Sequence, residues 1–305
     1  MNEKEHPPLI AAVEAGGTKI VCAVGSSPND LEETRFATTS PEQTLSKAIN
    51  FFESKKLSRG KIQALGIGTF GPADINVHSD TFGFITNTPK ENWSHTDIVS
   101  PLLSTLGNIP IAFETDVNAA AWGERKWGAA RNLDDFIYIT VGTGIGGGAV
   151  SGGKLLHGEG HPEMGHLRIP HDIIQDPFPG SCPFHGDCLE GLASGTAISK
   201  RWGCNPSELE ETHRAWDLEA TYLADALANL TLTLCPARFI LGGGVMEQSH
   251  LFDKIRRKLS QRLAGYVSLP NLKEFIIPPA LGAQAGILGA MALAQDLIST
   301  IPNNS

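Results

Sequence analysis

Phe113-Glu114-Thr115-Asp116-Val117-Asn118-Ala119-Ala120-Ala121 is the stretch on which the reading of this chain turns. Apolar residues with strand character, Ile109, Ile111 and Phe113, run into two carboxylates and an amide, and Ala119 to Trp122 then open a helix. Asp116 is thereby placed at a strand-to-helix junction, where a side chain can face a cleft while its backbone stays fixed. Taken alone, the segment reads as a helix cap. Glycine-rich hairpins on both sides of it, and a Cys/His cluster after it, argue for chemistry instead.

Composition sets the bounds. A chain of 305 residues allows one large or two medium domains. With 41% hydrophobic and 19% charged residues it has the make-up of a soluble globular protein with ample core material. A net charge of -9 without a dense Lys/Arg block leaves no electrostatic footprint for nucleic acid or an anionic membrane, so any phosphate binding must be local. Met1 to Pro8 is polar and leads straight into a short strand, which is not a signal peptide pattern, and no apolar run approaches a membrane span. Five cysteines do not suggest a disulfide framework, and the expected compartment is the cytoplasm.

Outward from Asp116, glycines dominate. Leu9 to Val13 and Ile20 to Val24 read as buried strands around Glu14-Ala15-Gly16-Gly17-Thr18-Lys19. Paired glycines let backbone N–H groups approach an anion, and Thr18 and Lys19 add a hydroxyl and a charge. A plain hairpin turn fits equally; a Walker loop does not, since it needs a longer glycine spacing and opens a helix. Phe136 to Val141 is a β-branched and aromatic strand that meets Gly142-Thr143-Gly144-Ile145-Gly146-Gly147-Gly148, so the strand-glycine-threonine-strand pattern recurs and suggests a duplicated architecture. A third run, Gly242-Gly243-Gly244, follows Phe239 to Leu241 and precedes a helix beginning near Ser249; a nucleotide could lie against it, or it is a simple connection. Ser40-Pro41-Glu42 opens a helix over 41–56, and a strand from Ile62 to Gly68 follows. The loop from Asn87-Thr88-Pro89 to Trp93 offers hydrogen bonds and a stacking face to a small polar ligand, or serves only as a turn.

In this order, Glu14 to Lys19, the Asp116 segment, Gly142 to Gly148, Glu163-Met164-Gly165-His166 and Leu241 to Val245 resemble the motifs of the ROK family of sugar kinases across nearly the whole chain. The resemblance implies an α/β actin-like ATPase fold, also termed hexokinase-like or RNase H-like, with two domains closing on ATP and a sugar. Residues 1–115 plus 283–305 would form one domain, with the helix from Ala283 to Ala294 returning to it, and 116–282 the other. By the same resemblance Gly16, Gly17, Thr18 and Lys19, with Gly142, Thr143, Gly144 and Gly146, hold the phosphates together with Mg²⁺. Gly242, Gly243 and Gly244 flank the adenosine, Asp116 is the general base, and Asn87, Asn118, Glu163 and His166 meet the sugar.

The commoner glucokinase pattern resembles Asn-Asp-Ala-Asn at the base and Cys-x-Cys-Gly-x-x-Gly-Cys in a zinc loop. Here Thr115-Asp116-Val117-Asn118, Cys-x-x-His-x-x-Cys, Glu14 in place of Asp and the Asn87-Thr88-Pro89 loop look like the bacterial fructokinase branch, for which D-fructose to fructose 6-phosphate is expected. A glucokinase, mannokinase or amino-sugar kinase, or a catalytically silent sugar-binding protein, are the alternatives. Sugar-responsive repressors of the family carry a helix-turn-helix ahead of the kinase-like part, for which a first strand near Leu9 leaves no room. The expected partners are a small-molecule sugar and ATP, with no nucleic acid and no membrane; a homodimer is left open.

Cys182-Pro183-Phe184-His185-Gly186-Asp187-Cys188 places three soft or borderline ligands at even spacing. His166, chosen over its neighbours His157, His161 and His171 by the family's Glu-x-Gly-His, completes a closed structural Zn²⁺ tetrahedron. A Cys182–Cys188 disulfide or free thiols are the other readings. A metal on His166 would also fix Glu163, three residues earlier, for sugar hydroxyls.

Overall fold

The computed structural model describes residues 7–300. Residues 1–6, on which most of the signal-peptide reading rests, and 301–305 lie outside the described residues.

Strand β1 (Ile10–Ala15) is buried on both faces, which is why its sequence is a continuous apolar run rather than an alternation. It pairs antiparallel with β2 (Lys19–Ser27), which pairs antiparallel with β3 (Asp30–Ala37). Helix α1 (Pro41–Arg59) begins where Ser40 accepts a hydrogen bond from the Gln43 N–H and proline takes the first turn. Strand β4 (Ala64–Thr69) lies parallel to β1. A short ribbon of β5 (Phe84–Ile85) and β6 (Thr96–Asp97) and helix α2 (Val99–Leu106) lead to β7 (Ile111–Thr115), parallel to β4, and then to α3 (Asp116–Trp127). The sheet order is β3-β2-β1-β4-β7.

The pattern recurs in β8 (Phe136–Val141), β9 (Ile145–Ser151) and β10 (Lys154–Leu155), successive antiparallel neighbours. Helices α4 (Leu189–Ala193), α5 (Gly195–Trp202) and α6 (Ala215–Leu234) follow, then β11 (Phe239–Gly242), α7 (His250–Leu263), α8 (Leu272–Phe275) and β12 (Ile276–Ile277). β11 is parallel to both β8 and β12, giving the order β10-β9-β8-β11-β12. Each sheet is thus three antiparallel strands extended by two parallel ones. This is the duplication that the two glycine hairpins suggested.

The chain divides into one unit of Met1–Gly128, His157–His161 and Ala283–Ser305 and another of Ala129–Leu156 and Pro162–Gly282. The last helix, α9 (Ala285–Ser299), is grouped with the first unit. The boundary expected after Thr115 is corrected to follow Gly128, because α3 packs on α9 and β4 through small residues. A Cβ at Gly289 would collide with the Ala119 carbonyl, one at Gly123 would lie 2.7 Å from the Ala285 carbonyl oxygen, and one at Gly68 2.7 Å from the Ala119 Cβ. Removing α3 from this unit would strip the cover from that seam.

Candidate active site

Asp116 stands where β7 ends and α3 begins, at the carboxyl end of a parallel strand, the edge at which α/β sheets place their ligands. The cap belongs to its neighbour. The Thr115 hydroxyl accepts the Asn118 N–H at 3.2 Å, while Asp116 occupies the first helical position and its Oδ1 accepts the Val117 N–H at 2.9 Å. Thr115 is buried and committed to this bond, a role that the asparagine of the glucokinase-like pattern could also fill.

Glu114 lies behind this junction and had drawn no role from the sequence beyond that of a second carboxylate. It is 8% exposed; its Oε2 accepts from Asn118 Nδ2 at 2.9 Å, and its Oε1 pairs with His157 Nε2 at 2.7 Å. The bond to Glu114 holds the His157 imidazolium above the usual histidine range, against the opposing effect of burial. Asn118, expected at the sugar, is 1% exposed and donates from its amide nitrogen to Glu114, while its Oδ1 is buried without a hydrogen-bond partner among the described residues.

The first glycine loop closes through Gly16 N–H to the Lys19 carbonyl at 2.9 Å, with the Thr38 hydroxyl on the Gly16 carbonyl at 2.7 Å. Thr18 and Lys19 are exposed, and Gly17 has open space where a Cβ would sit. Glu14, just upstream, is wedged against Gly286 on α9 and accepts a backbone hydrogen bond from Ile287, yet its Oε2 is buried without a hydrogen-bond partner among the described residues. Burial raises its pKa, with Lys19 and Arg35 opposing that shift. Asn87 is exposed in a loop anchored by Thr86, whose N–H and hydroxyl both reach the Pro72 carbonyl.

In the second unit the Gly142 N–H donates to the Gly144 carbonyl at 2.9 Å, and the start of α5 braces the turn through Gly195 N–H to the Gly142 carbonyl and the Thr196 hydroxyl to the Thr143 carbonyl. Glu190, two residues beyond the last cysteine of the cluster, accepts the Ile145 N–H at 2.9 Å and lies against Gly144. Sequence reasoning missed it, because its bond spans 45 residues of chain. Glu163 is exposed at the entry of a short turn, Met164–His166. Gly165 lets that turn press on the Ile145 carbonyl, which accounts for the glycine of Glu-x-Gly-His. Gly243 takes the φ of +91° that brings β11 out toward Gly244.

His166, Cys182, His185 and Cys188 come together with donor atoms within 4.8 Å of one another. His166 Nδ1 lies 3.5 Å from Cys188 Sγ and 3.7 Å from Cys182 Sγ, and His185 Nδ1 lies 3.6 Å from Cys182 Sγ. A tetrahedron with ordinary zinc–sulfur and zinc–nitrogen bonds has N–S edges of about 3.6 Å, so the donor set fits a closed four-ligand metal. Both cysteines are free thiols, which removes the disulfide reading. Burial pushes the Cys188 thiol up to about 11, a cost that a divalent cation offsets by stabilising the thiolate.

A model of the ROK family matches residues 10–297. The chain belongs to the ROK family. This ROK protein is 45% identical over 301 residues to a putative fructokinase of Bacillus subtilis (strain 168), covering 95% of this chain and 96% of that one. It is 41% identical over 293 residues to a fructokinase of Streptococcus mutans serotype c, covering 95% and 98%. Among solved structures it is similar to the ROK hexokinase of Thermus thermophilus, with a TM-score of 0.76, 28% identity and coverage of 95% and 99%. The fold is therefore the two-domain actin-like ATPase fold. No helix among the described residues is long and apolar enough to cross a membrane.

Proposed function

We propose that this chain is an ATP-dependent fructokinase that converts D-fructose to fructose 6-phosphate, with Asp116 as general base. The observation that carries the assignment of the base is that Thr115, not Asp116, caps α3, so the fold has a carboxylate at the strand end that the cap does not require. The choice of fructose is supported by relatives above 40% identity named fructokinase or putative fructokinase, the two described above among them.

In the proposed step the sugar hydroxyl oxygen attacks the γ-phosphorus, the bond from that phosphorus to the bridging oxygen breaks, ADP leaves, and the hydroxyl proton passes to Asp116. Gly16 to Lys19, and Gly142, Thr143, Gly144 and Gly146, would offer backbone and side-chain donors to the phosphates; Gly242 to Gly244 would accommodate the nucleoside. Mg²⁺ would neutralise phosphate charge, and the orphaned, hard Oε2 of Glu14 fits such a cation or its water shell. Asn87, Asn118, Glu163 and His166 would contact the sugar.

The metal of the Cys/His tetrad would be Zn²⁺. With four protein ligands it has no open position for substrate, so its effect passes through the geometry of the loop and of Glu163. The cytoplasm is the compartment consistent with free thiols. Turnover measured with an ADP-coupled assay across fructose, glucose, mannose and N-acetylated hexoses tests the proposal. Fructose should give the highest kcat/KM; a preference for another hexose would reassign the substrate, and no turnover of any would return the chain to a sugar-binding role.

A further inference from the structure

The segment His157–His161 belongs to the first unit although the residues on either side of it, Leu156 and Pro162, belong to the second. Within the first unit it grips the penultimate residue of β7 and the turn that follows β4, both near the carboxyl ends of parallel strands. His157 Nε2 meets Glu114 Oε1 at 2.7 Å, beside the base-bearing junction after β7. His161 Nε2 accepts the Ala73 N–H at 3.1 Å, on the turn after β4, and Gly71 makes room for its ring, since a Cβ there would lie 3.3 Å from His161 Cε1. Two imidazoles four residues apart thus hold two neighbouring strand exits.

We propose that His157–His161 is a positioning strap for the base: His157, bound to Glu114, locks the Thr115–Asn118 turn that aims Asp116, and His161 fixes the adjoining Gly71–Ala73 turn. The chain of contacts is explicit. Glu114 grips the junction twice, through Asn118 Nδ2 at 2.9 Å and, more weakly, through the Thr115 N–H at 3.4 Å, and Thr115 in turn caps Asn118. A carboxylate that is 8% exposed is costly to bury without a compensating charge, and an amide alone does not supply one. The imidazolium does, and Glu114 is the charged group that faces His157 among the described residues. His157 touches no reacting atom; it acts through Glu114. The inference rests on Asp116 being the base.

His161 has the opposite hydrogen-bonding role: its Nε2 accepts from the Ala73 N–H, whereas His157 Nε2 donates to the Glu114 carboxylate.

Three variants separate positioning from packing: His157→Gln, His157→Arg and Glu114→Gln. In wild type, kcat should fall by about five- to tenfold on the alkaline side as the charge-assisted bond becomes a neutral one. His157→Gln should be reduced at all pH values and lack that limb, with the KM for ATP unchanged. His157→Arg, which keeps the cation, should recover much of kcat and also lack the limb. The double variant His157→Gln/Glu114→Gln should lose no more than the worse single one.

Two readouts need no turnover. Amide exchange at Val117 and Asn118 should quicken in His157→Gln, and the His157 ring, followed by NMR, should titrate above 6.5 in wild type and fall toward it in Glu114→Gln. If no sugar is phosphorylated, the kinase reading fails while these two still judge the strap. Unchanged exchange at both amides, an ordinary His157 titration, or a wild-type alkaline limb retained in His157→Gln would overturn the proposal.

Discussion

The division of labour between Thr115 and Asp116 makes opposite predictions for two adjacent substitutions. Asp116→Asn is isosteric, and its amide oxygen can still accept the Val117 N–H that Asp116 Oδ1 accepts at 2.9 Å. What is lost structurally is a negative charge in the first turn of α3, about 0.3–1 kcal/mol. What is lost chemically is the proton acceptor, and kcat should fall by about two to four orders of magnitude, equivalent to about 3–5 kcal/mol of barrier. Thr115→Ala inverts this. It removes the hydroxyl that accepts the Asn118 N–H at 3.2 Å in a buried setting, a capping loss of about 1 kcal/mol and a melting temperature lower by about 2–4 °C. The carboxylate survives, so kcat should fall less than about tenfold. Steady-state kinetics and thermal unfolding on the same preparations read both axes. Asp116→Asn retaining a tenth or more of wild-type turnover would refute the assignment of the base; Thr115→Ala losing as much turnover as Asp116→Asn would show that junction geometry, not the carboxylate, limits the reaction.

Elemental analysis of protein purified without added metal should find about one zinc per chain, and Cys182→Ser should lower that occupancy and raise the KM for sugar more than that for ATP; less than a tenth of a zinc with sugar affinity unaffected would remove the metal. In the second glycine loop, Gly142→Ala should weaken ATP binding with little change in melting temperature, whereas Gly144→Ala should lower both, because its Cβ would sit 2.6 Å from Glu190 Oε2; equal ATP affinity in wild type and Gly142→Ala would reduce the loop to a turn. Glu219 on α6 is fully buried, its oxygens have no hydrogen-bond partner among the described residues, and desolvation raises its pKa well above the ordinary 4.5 despite Arg201. Its folded pKa exceeds the unfolded one, so its contribution is full below about 4.5 and is lost as pH rises. Denaturant unfolding should therefore show Glu219→Gln gaining on wild type between pH 5 and pH 8, and a flat difference would contradict the buried neutral acid.

Much of this arrangement was legible because it depends on neighbours in sequence. The hairpins at Gly16 and Gly142, the end of α3 at Trp127 and the opening of α1 at Ser40 all follow from local turn chemistry and capping. The Cys/His tetrad could be read because three of its ligands sit within seven consecutive residues, 182–188. Helix α6 was not legible: it is buried around most of its circumference, so its apolar residues form no stripe to reveal a helical period. Nor was β3, an edge strand that carries Glu32, Glu33 and Arg35 and owes its existence to pairing with β2. Glu114 with His157, and Ile145 with Glu190, are bonds across more than forty residues, and only the folded topology brings such partners together. At the junction itself the cap that the segment taken alone would put on Asp116 is supplied by Thr115, one residue earlier.

That one-residue difference matters for how glycine-rich motifs are weighed as well. Several motif glycines are required by the chain's own packing: Gly144 by Glu190, Gly147 by Met164, Gly165 by the Ile145 carbonyl, and Gly243 by both its positive φ and the Val141 backbone. For these, the residue type says nothing about a ligand. Gly17, Gly142 and Gly244 differ, since a Cβ on any of them would meet nothing within 4 Å and none has a φ that side chains avoid. One lies in each of the three glycine runs. Neither a φ in the left-handed region nor a neighbour within 4 Å calls for glycine at these positions, so a side chain placed at each one separately tests whether a ligand approaches the backbone there: a loss of ATP affinity with an unchanged melting temperature is the expected outcome, and unchanged affinity would leave that run a plain connection.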